Sequence, residues 1–234
     1  LKSPSEPCLL AIDTANERCS VAVGFSGSVL AEAVVEDGFR HAEKLTLLIA
    51  EVLATTGLKL KNLDGVVVSA GPGSYTGLRI GASVAKGLCY GSGLPLIGID
   101  TLEMMARGFM KVYPETPPNQ LLVPMIDARR DEVFTAVLST DFSFLQESAP
   151  LVLTSSLFDA YRDLNLHFFG SGAPKYAALF EGRGGGFEAE GNEHAQYLLE
   201  AARDKYLAGK FENVAYFKPD YRKSFHTNFK ISNS

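Results

Sequence analysis

The stretch Ala70–Gly81, AGPGSYTGLRIG, constrains the fold more than any other part of the chain. The apolar run LDGVVVSA, residues 63–70, enters it as a buried strand, and a helical pattern over about Thr76–Tyr90 leaves it. Strand, glycine turn and helix must therefore follow one another directly. A helix N-terminus behind such a turn presents backbone N–H groups and accepts an anion. The spacing excludes two phosphate loops. Thr76 stands where a Walker A loop needs glycine and then lysine, and the third glycine, Gly77, arrives one residue late for GxGxxG. Two readings of Gly71, Gly73 and Ser74 stand: a degenerate nucleotide-binding cradle, or a tight turn that lets the helix pack closely. Within the helix, Gly77, Gly81 and Ala85 form a small-residue stripe, while Arg79, Ser83, Lys86 and Tyr90 lie on the other side and are candidates to face a partner.

Around this turn the pattern continues as an α/β lobe. Residues 8–13, 19–25 and 28–36 read as three antiparallel strands. In HAEKLTLLIAEVLATTG, Leu45, Leu48, Ile49, Val52 and Leu53 recur at helical spacing, and Gly57 stands at the expected C-terminal cap. PLIGID, residues 95–100, adds another strand. The second half repeats the plan more weakly: strands at 120–127 and 132–139 around the charged turn residues 128–131, a helix in SSLFDAYR, a strand LHFFG ending in the Gly170–Gly172 turn, and a helix over about 193–208 after the glycines at 184–186. The expectation is two lobes, residues 1–103 and 104–234, each a mixed sheet flanked by helices and joined near 100–115.

Charge narrows the partners. A formal net charge of −5 argues against a chain that holds RNA alone. From Val214 onward, however, four bases and one acid give +3 against −8 for the rest, and five aromatic rings interleave with the bases. This tail is expected to fold back on the second lobe through Tyr216, Phe217 and Tyr221, with Arg222, Lys223 and Lys230 available to RNA or to an assembly. Cys8, Cys19 and Cys89 share no metal or redox spacing and sit in apolar runs, and no apolar run is long enough to span a bilayer. The opening LKSPSEPCLLAID carries no basic region ahead of a cleavable apolar segment. A cytoplasmic chain without a membrane partner is expected.

Asp13-Thr14 with CSVAV, then RHAEKL at 40–45, the dodecapeptide at 70–81 and PLIGIDTLE at 95–103 occur in the order that marks TsaB proteins, and the chain resembles that family over most of its first hundred residues. MIDARRDEVF at 125–134, the Gly170–Gly172 turn and the aromatic-basic tail extend the resemblance loosely. It implies a two-lobed actin-like and sugar-kinase (ASKHA) fold. In that superfamily the first hairpin receives ATP phosphates and its acid, here Asp13, holds magnesium; the turn after Thr14 lacks glycine and carries Glu17, which opposes a phosphate. The resemblance further implies a noncatalytic scaffold for threonylcarbamoylation of tRNA adenosine 37, partnered by a TsaD-like catalytic subunit and a TsaE-like ATPase and dimeric when alone. His41, Lys44, Leu45, Leu48, Ile49 and Val52 on the first helix are expected to join the α-helical partner face.

Catalytic relatives are similar to P-x-x-G-V-N-H-x-x-x-H, whose histidines bind a metal. Here Thr101 and Met105 occupy those positions, and neither replaces an imidazole on a hard divalent ion. No catalytic residue, resident metal or required cofactor is expected, with weak nucleotide binding left open. The remaining histidines lack metal spacing, and no G-x-S-x-G elbow is present. The competing readings are an active ATP-dependent phosphotransferase on the same fold, motivated by Asp13, Gly71–Gly73 and Gly170–Gly172, and a metal-dependent peptidase.

Overall fold

The computed structural model describes residues 6–36, 40–154, 156–161, 164–179, 187–188 and 193–221. Its first sheet is built from β1 (Cys8–Asp13), β2 (Cys19–Phe25), β3 (Ser28–Val35), β4 (Gly65–Ser69) and β5 (Leu96–Ile99), in the order β3-β2-β1-β4-β5. The first three strands form an antiparallel meander, and β4 and β5 add in parallel beside β1. α1 (His41–Thr56) and α2 (Tyr75–Ser92) make the two crossovers. α1 ends at Gly57, whose left-handed backbone donates to Ala54, and α2 begins at Ser74, whose hydroxyl caps the Gly77 N–H.

A second sheet repeats this order. β6 (Gln120–Asp127), β7 (Glu132–Leu138) and β8 (Phe144–Val152) form the meander, and β9 (Asn165–Phe169) and β10 (Phe187–Glu188) add in parallel beside β6, giving β10-β9-β6-β7-β8. The crossovers differ. SSLFDAYR, expected as a helix, supplies a short 3-10 turn, Asp159–Tyr161, that seats the buried Phe158. β8 has no counterpart in the sequence reading because it is a sheet edge with Pro150 and an alternating, half-exposed pattern. The loop at 184–186 lies outside the described residues.

The continuous apolar runs of β1 and β4 are explained by burial on both faces. Leu10, Ile12, Val66 and Val68 meet Leu45, Ile49, Val52 and Ala85 of α1 and α2. Leu9, Ala11, Val67 and Ile97 meet Leu198, Leu199, Ala201 and Ala202 of α4 (Leu198–Leu207). α4 follows the second sheet in sequence yet covers the first. Conversely α3 (Thr101–Val112), which follows the first sheet, lays Leu102, Met105, Ala106 and Phe109 on Leu122, Ile126, Phe134 and Phe169 of the second. Each sheet thus gives its last helix to the other.

Two expectations are corrected by this packing. Residues 104–234 do not make up a separate second lobe, because α4 and the segment after it return to the first sheet. The tail also folds on the first lobe, not the second: the Glu212 N–H donates to Leu96 on the edge strand β5, and Phe217 is buried beside Leu96 and Ala85. The region near 100–115, expected as a join, is mostly the helix α3. Asp100 caps it, its carboxylate accepting from the Leu102 and Glu103 N–H groups.

Candidate functional site

The glycine turn and the first hairpin meet at the C-terminal ends of β1 and β4, the edge where α/β sheets place their ligands. Here the two segments close on each other. The Ser74 N–H donates to the Ala15 carbonyl at 2.6 Å, and the Thr14 hydroxyl donates to the Gly77 carbonyl at 2.8 Å. A Cβ at Gly77 would collide with the Thr14 carbonyl, one at Gly81 with the Thr14 hydroxyl, and one at Gly73 with the Ala15 carbonyl. The stripe Gly77–Gly81–Ala85 therefore admits the first hairpin and β4 against the helix. Gly71 accepts the tail in the same way, since its missing Cβ leaves room for the Asp220 carbonyl while the Asp220 N–H donates to Ala70.

This arrangement favours close packing over an anion cradle. Three N–H groups at the turn are engaged within the protein: Ser74 N–H by Ala15, Gly77 N–H by the Ser74 hydroxyl and Leu78 N–H by the Ser74 carbonyl. Asp13 is fully buried and accepts from the Ala15 N–H at 3.0 Å. Burial raises its carboxyl above the usual range, and the Ser69 hydroxyl and Ala15 N–H offset this only in part. Burial and the neighbouring Asp13 push the Cys19 thiol up to about 12, which leaves it an inert core group.

The second glycine turn is also a packing device. A Cβ at Gly170 would strike the Met105 methyl and the Met125 carbonyl, and the Gly172 N–H donates to Met125 at 3.0 Å. α3 links the two turns: the Thr101 N–H donates to the Gly71 carbonyl, and Met105 reaches Gly170. Thr101 and Met105 are both fully buried. A hydroxyl and a thioether packed there do not fit the divalent metal that two imidazoles would hold.

The expected partner face divides. Leu45, Leu48, Ile49 and Val52 are buried against their own sheet, so they cannot meet a partner while the lobe is folded. His41 is buried too, and its Nε2 lies 2.9 Å from the Glu17 carbonyl, tying the start of α1 to the first hairpin. Lys44 is half-buried, and Lys86 is committed to the tail, donating to the Ala215 and Phe217 carbonyls at 3.1 and 3.2 Å. Arg79, Ser83 and Tyr90 remain exposed, Tyr90 at 89%. A groove of about 400 Å³ runs beside them, lined by Ala42, Tyr75, Thr76, Arg79, Ile80 and Val84. Tyr75 escapes the sequence reading; its ring packs tilted against Tyr221 of the tail, centroids 4.6 Å apart, with the Arg79 guanidinium over it at 5.4 Å. Arg222, Lys223 and Lys230 lie outside the described residues.

Glu193 is a second residue the sequence reading passes over. It is buried at the start of the α4 region, and burial, reinforced by Asp13, pushes its carboxyl up to about 8. The segment is pinned by the Ala195 N–H donating to Ser20 at 2.8 Å and the Gln196 N–H donating to Glu32 at 3.2 Å. A cavity of about 510 Å³ lies elsewhere, between the β2–β3 turn, α3 and α4, and holds none of the residues expected to bind.

Two mixed sheets of matching strand order, with glycine turns at their C-terminal edges, define a protein of the actin-like and sugar-kinase fold class. An activator of 2-hydroxyisocaproyl-CoA dehydratase from Clostridium difficile, with bound ADPNP, shares this fold at TM-score 0.51 and 9% identity, over 87% of this chain and 97% of that one. The chain belongs to the family described as TsaD: tRNA N6-adenosine threonylcarbamoyltransferase, whose model matches residues 36–204, and its relatives place it with the TsaB/YeaZ proteins. The Escherichia coli (strain K12) tRNA threonylcarbamoyladenosine biosynthesis protein TsaB is 38% identical over 133 residues, 57% of this chain and 55% of that one. The structure of YeaZ from Pseudomonas aeruginosa matches at TM-score 0.80 and 25% identity, covering 92% of this chain and 99% of that one. The chain spans about half the length of the curated TsaB relatives it matches, between 51% and 59%.

Proposed function

We propose that the chain is a noncatalytic scaffold of the machinery that makes threonylcarbamoyladenosine in tRNA, acting by binding a TsaD-like catalytic subunit in the cytoplasm. The observation that carries this reading is the closure of the glycine turn on the first hairpin. The Ala15 and Thr14 backbone packs directly against the glycine turn and hydrogen-bonds to it, which counts against an open phosphate cradle between the two segments. The positions of the relatives' metal ligands hold Thr101 and Met105, which disfavours the peptidase reading. What the chain leaves exposed is a surface. Tyr75, Arg79, Ser83 and Tyr90 on α2, beside the groove against α1, have the aromatic and arginine composition of interface hot spots. The same face serves a homodimer when the partner is absent, and a TsaE-like ATPase and tRNA join through the complex.

The test mixes the purified chain with its TsaD-like subunit and measures co-elution, sedimentation and transfer to tRNA. The mixture alone is active, and added partner dissolves the homodimer. Replacing Arg79 by Glu and Tyr90 by Ala weakens co-elution at least ~30-fold, about 2 kcal/mol, with the melting temperature unchanged. Magnesium-dependent ATP hydrolysis by the chain alone that is lost in Asp13→Ala sinks the scaffold reading.

A further inference from the structure

The hairpin between β6 and β7 presents two arginines in a way that core packing does not explain. Arg129 and Arg130 both have left-handed backbone, φ 65° and 57°. Consecutive positive φ values of this kind belong to tight hairpin turns, where Asn-Gly is the usual choice and a long side chain is rare. The turn is nevertheless held firmly. The Asp127 carboxylate accepts from the Arg129 N–H at 2.8 Å and from the Lys175 ammonium at 3.0 Å, and Lys175 also donates to the Arg130 carbonyl. The Asp127 N–H donates to Ser171 of the second glycine turn at 3.1 Å, and the Ala128 N–H to Glu132 at 3.1 Å. All of these bonds use the backbone of the two arginines or the residues around them. Both side chains are exposed, and among the described residues neither guanidinium makes an ion pair or a hydrogen bond, although Arg129 is near enough to Asp127 to favour its charged form.

We infer that the Arg129–Arg130 tip is a contact for the phosphate backbone of RNA. Held but costly backbone points to selection at the tip, because strained residues persist where they serve a site. Guanidinium groups match phosphate oxygens in a bidentate fork, and two on adjacent residues of a narrow tip reach neighbouring phosphates. Asp127 is occupied by Lys175, which leaves Asp131 and the half-buried Glu132 as the acids beside the pair. With Asp131 and Glu132 beside them the two arginines carry no net local excess of charge, so the contact rests on the geometry of the paired, exposed forks and not on a positive patch. The choice of RNA over an acidic protein rests on the function proposed above, in which tRNA is the assembly's substrate.

The decisive variant is Arg129→Asn with Arg130→Gly, which suits the turn better while removing both guanidiniums. Binding of tRNA by the chain alone at low salt, and by the chain with its TsaD-like subunit, is measured by fluorescence anisotropy across a salt series. The variant should melt at or above the parent temperature and bind tRNA at least ~10-fold more weakly at low salt, with a shallower salt slope by about one to two phosphate contacts. Arg129→Lys with Arg130→Lys should keep most of the salt slope. Equal tRNA affinity of parent and variant, or no binding by the parent in either form, overturns the inference. A variant that loses the protein partner but keeps tRNA assigns the tip to an acidic protein surface and also overturns it. Loss of tRNA binding by a chain that never engages the TsaD-like subunit leaves this contact standing and removes the scaffold reading instead.

Discussion

Gly77 and Gly87 stand ten residues apart on one helix and have opposite reasons to exist. A Cβ at Gly77 runs into the Thr14 carbonyl, whereas one at Gly87 meets nothing within 4 Å. Gly77→Ala should therefore cost on the order of 2 kcal/mol or more, because backbone must move, and Gly87→Ala should gain about 0.5–1 kcal/mol of helix propensity. Urea unfolding of the two variants checks both signs. Glu193 makes a separate prediction about pH. Its folded carboxyl is raised from 4.5 to about 8, so between those values the folded chain keeps a proton that the unfolded chain has released. Stability contributed by the neutral form is complete in acid and is lost as pH rises through the folded value, with a slope of up to about 1.4 kcal/mol per pH unit. Asp13 is shifted in the same direction and adds to the slope. Glu193→Gln should flatten this fall, as urea melts at about pH 5 and pH 8 will show.

Among the elements, the C-terminal segment separates burial from charge most clearly. Phe217 lies in the core of the first lobe, while Tyr216 beside it is 81% exposed. Phe217→Ala should destabilise the chain by about 3 kcal/mol, and Tyr216→Ala should stay within about 0.5 kcal/mol, both read by denaturant midpoints. Composition could not tell these neighbours apart, since both are aromatic and both stand within two residues of Lys218. The helices show the same limit from the other side. The spacing of Leu45, Leu48, Ile49 and Val52 announced an apolar face on α1, but an apolar face reads alike whether its cover is the chain's own sheet or a partner. α3 reads as a join in the sequence, because its apolar residues serve a sheet that lies further along the chain.

At the scale of the whole molecule, two sheets of one strand order exchange their final helices, and α3 and α4 thereby fasten the lobes together. Local chemistry determined much of the rest. Apolar runs and turn residues placed most of the strands, Gly57 marked the end of α1, and the dodecapeptide with its flanking motifs carried the family. Those signals are short-range: period, cap and turn depend on residues a few positions apart. The sequence also determined that the glycines of residues 70–81 were needed, without saying for what. Only the tertiary structure decided that, because it brought Thr14, Ala15 and Asp220 to the places where side chains would have stood. It likewise decided that α4 covers the first sheet and that the tail seals the edge of β5. Such pairings join segments more than a hundred residues apart, and the physical cause is shared burial: each apolar surface is covered by whichever element the assembled fold brings to it, a choice that no local pattern encodes.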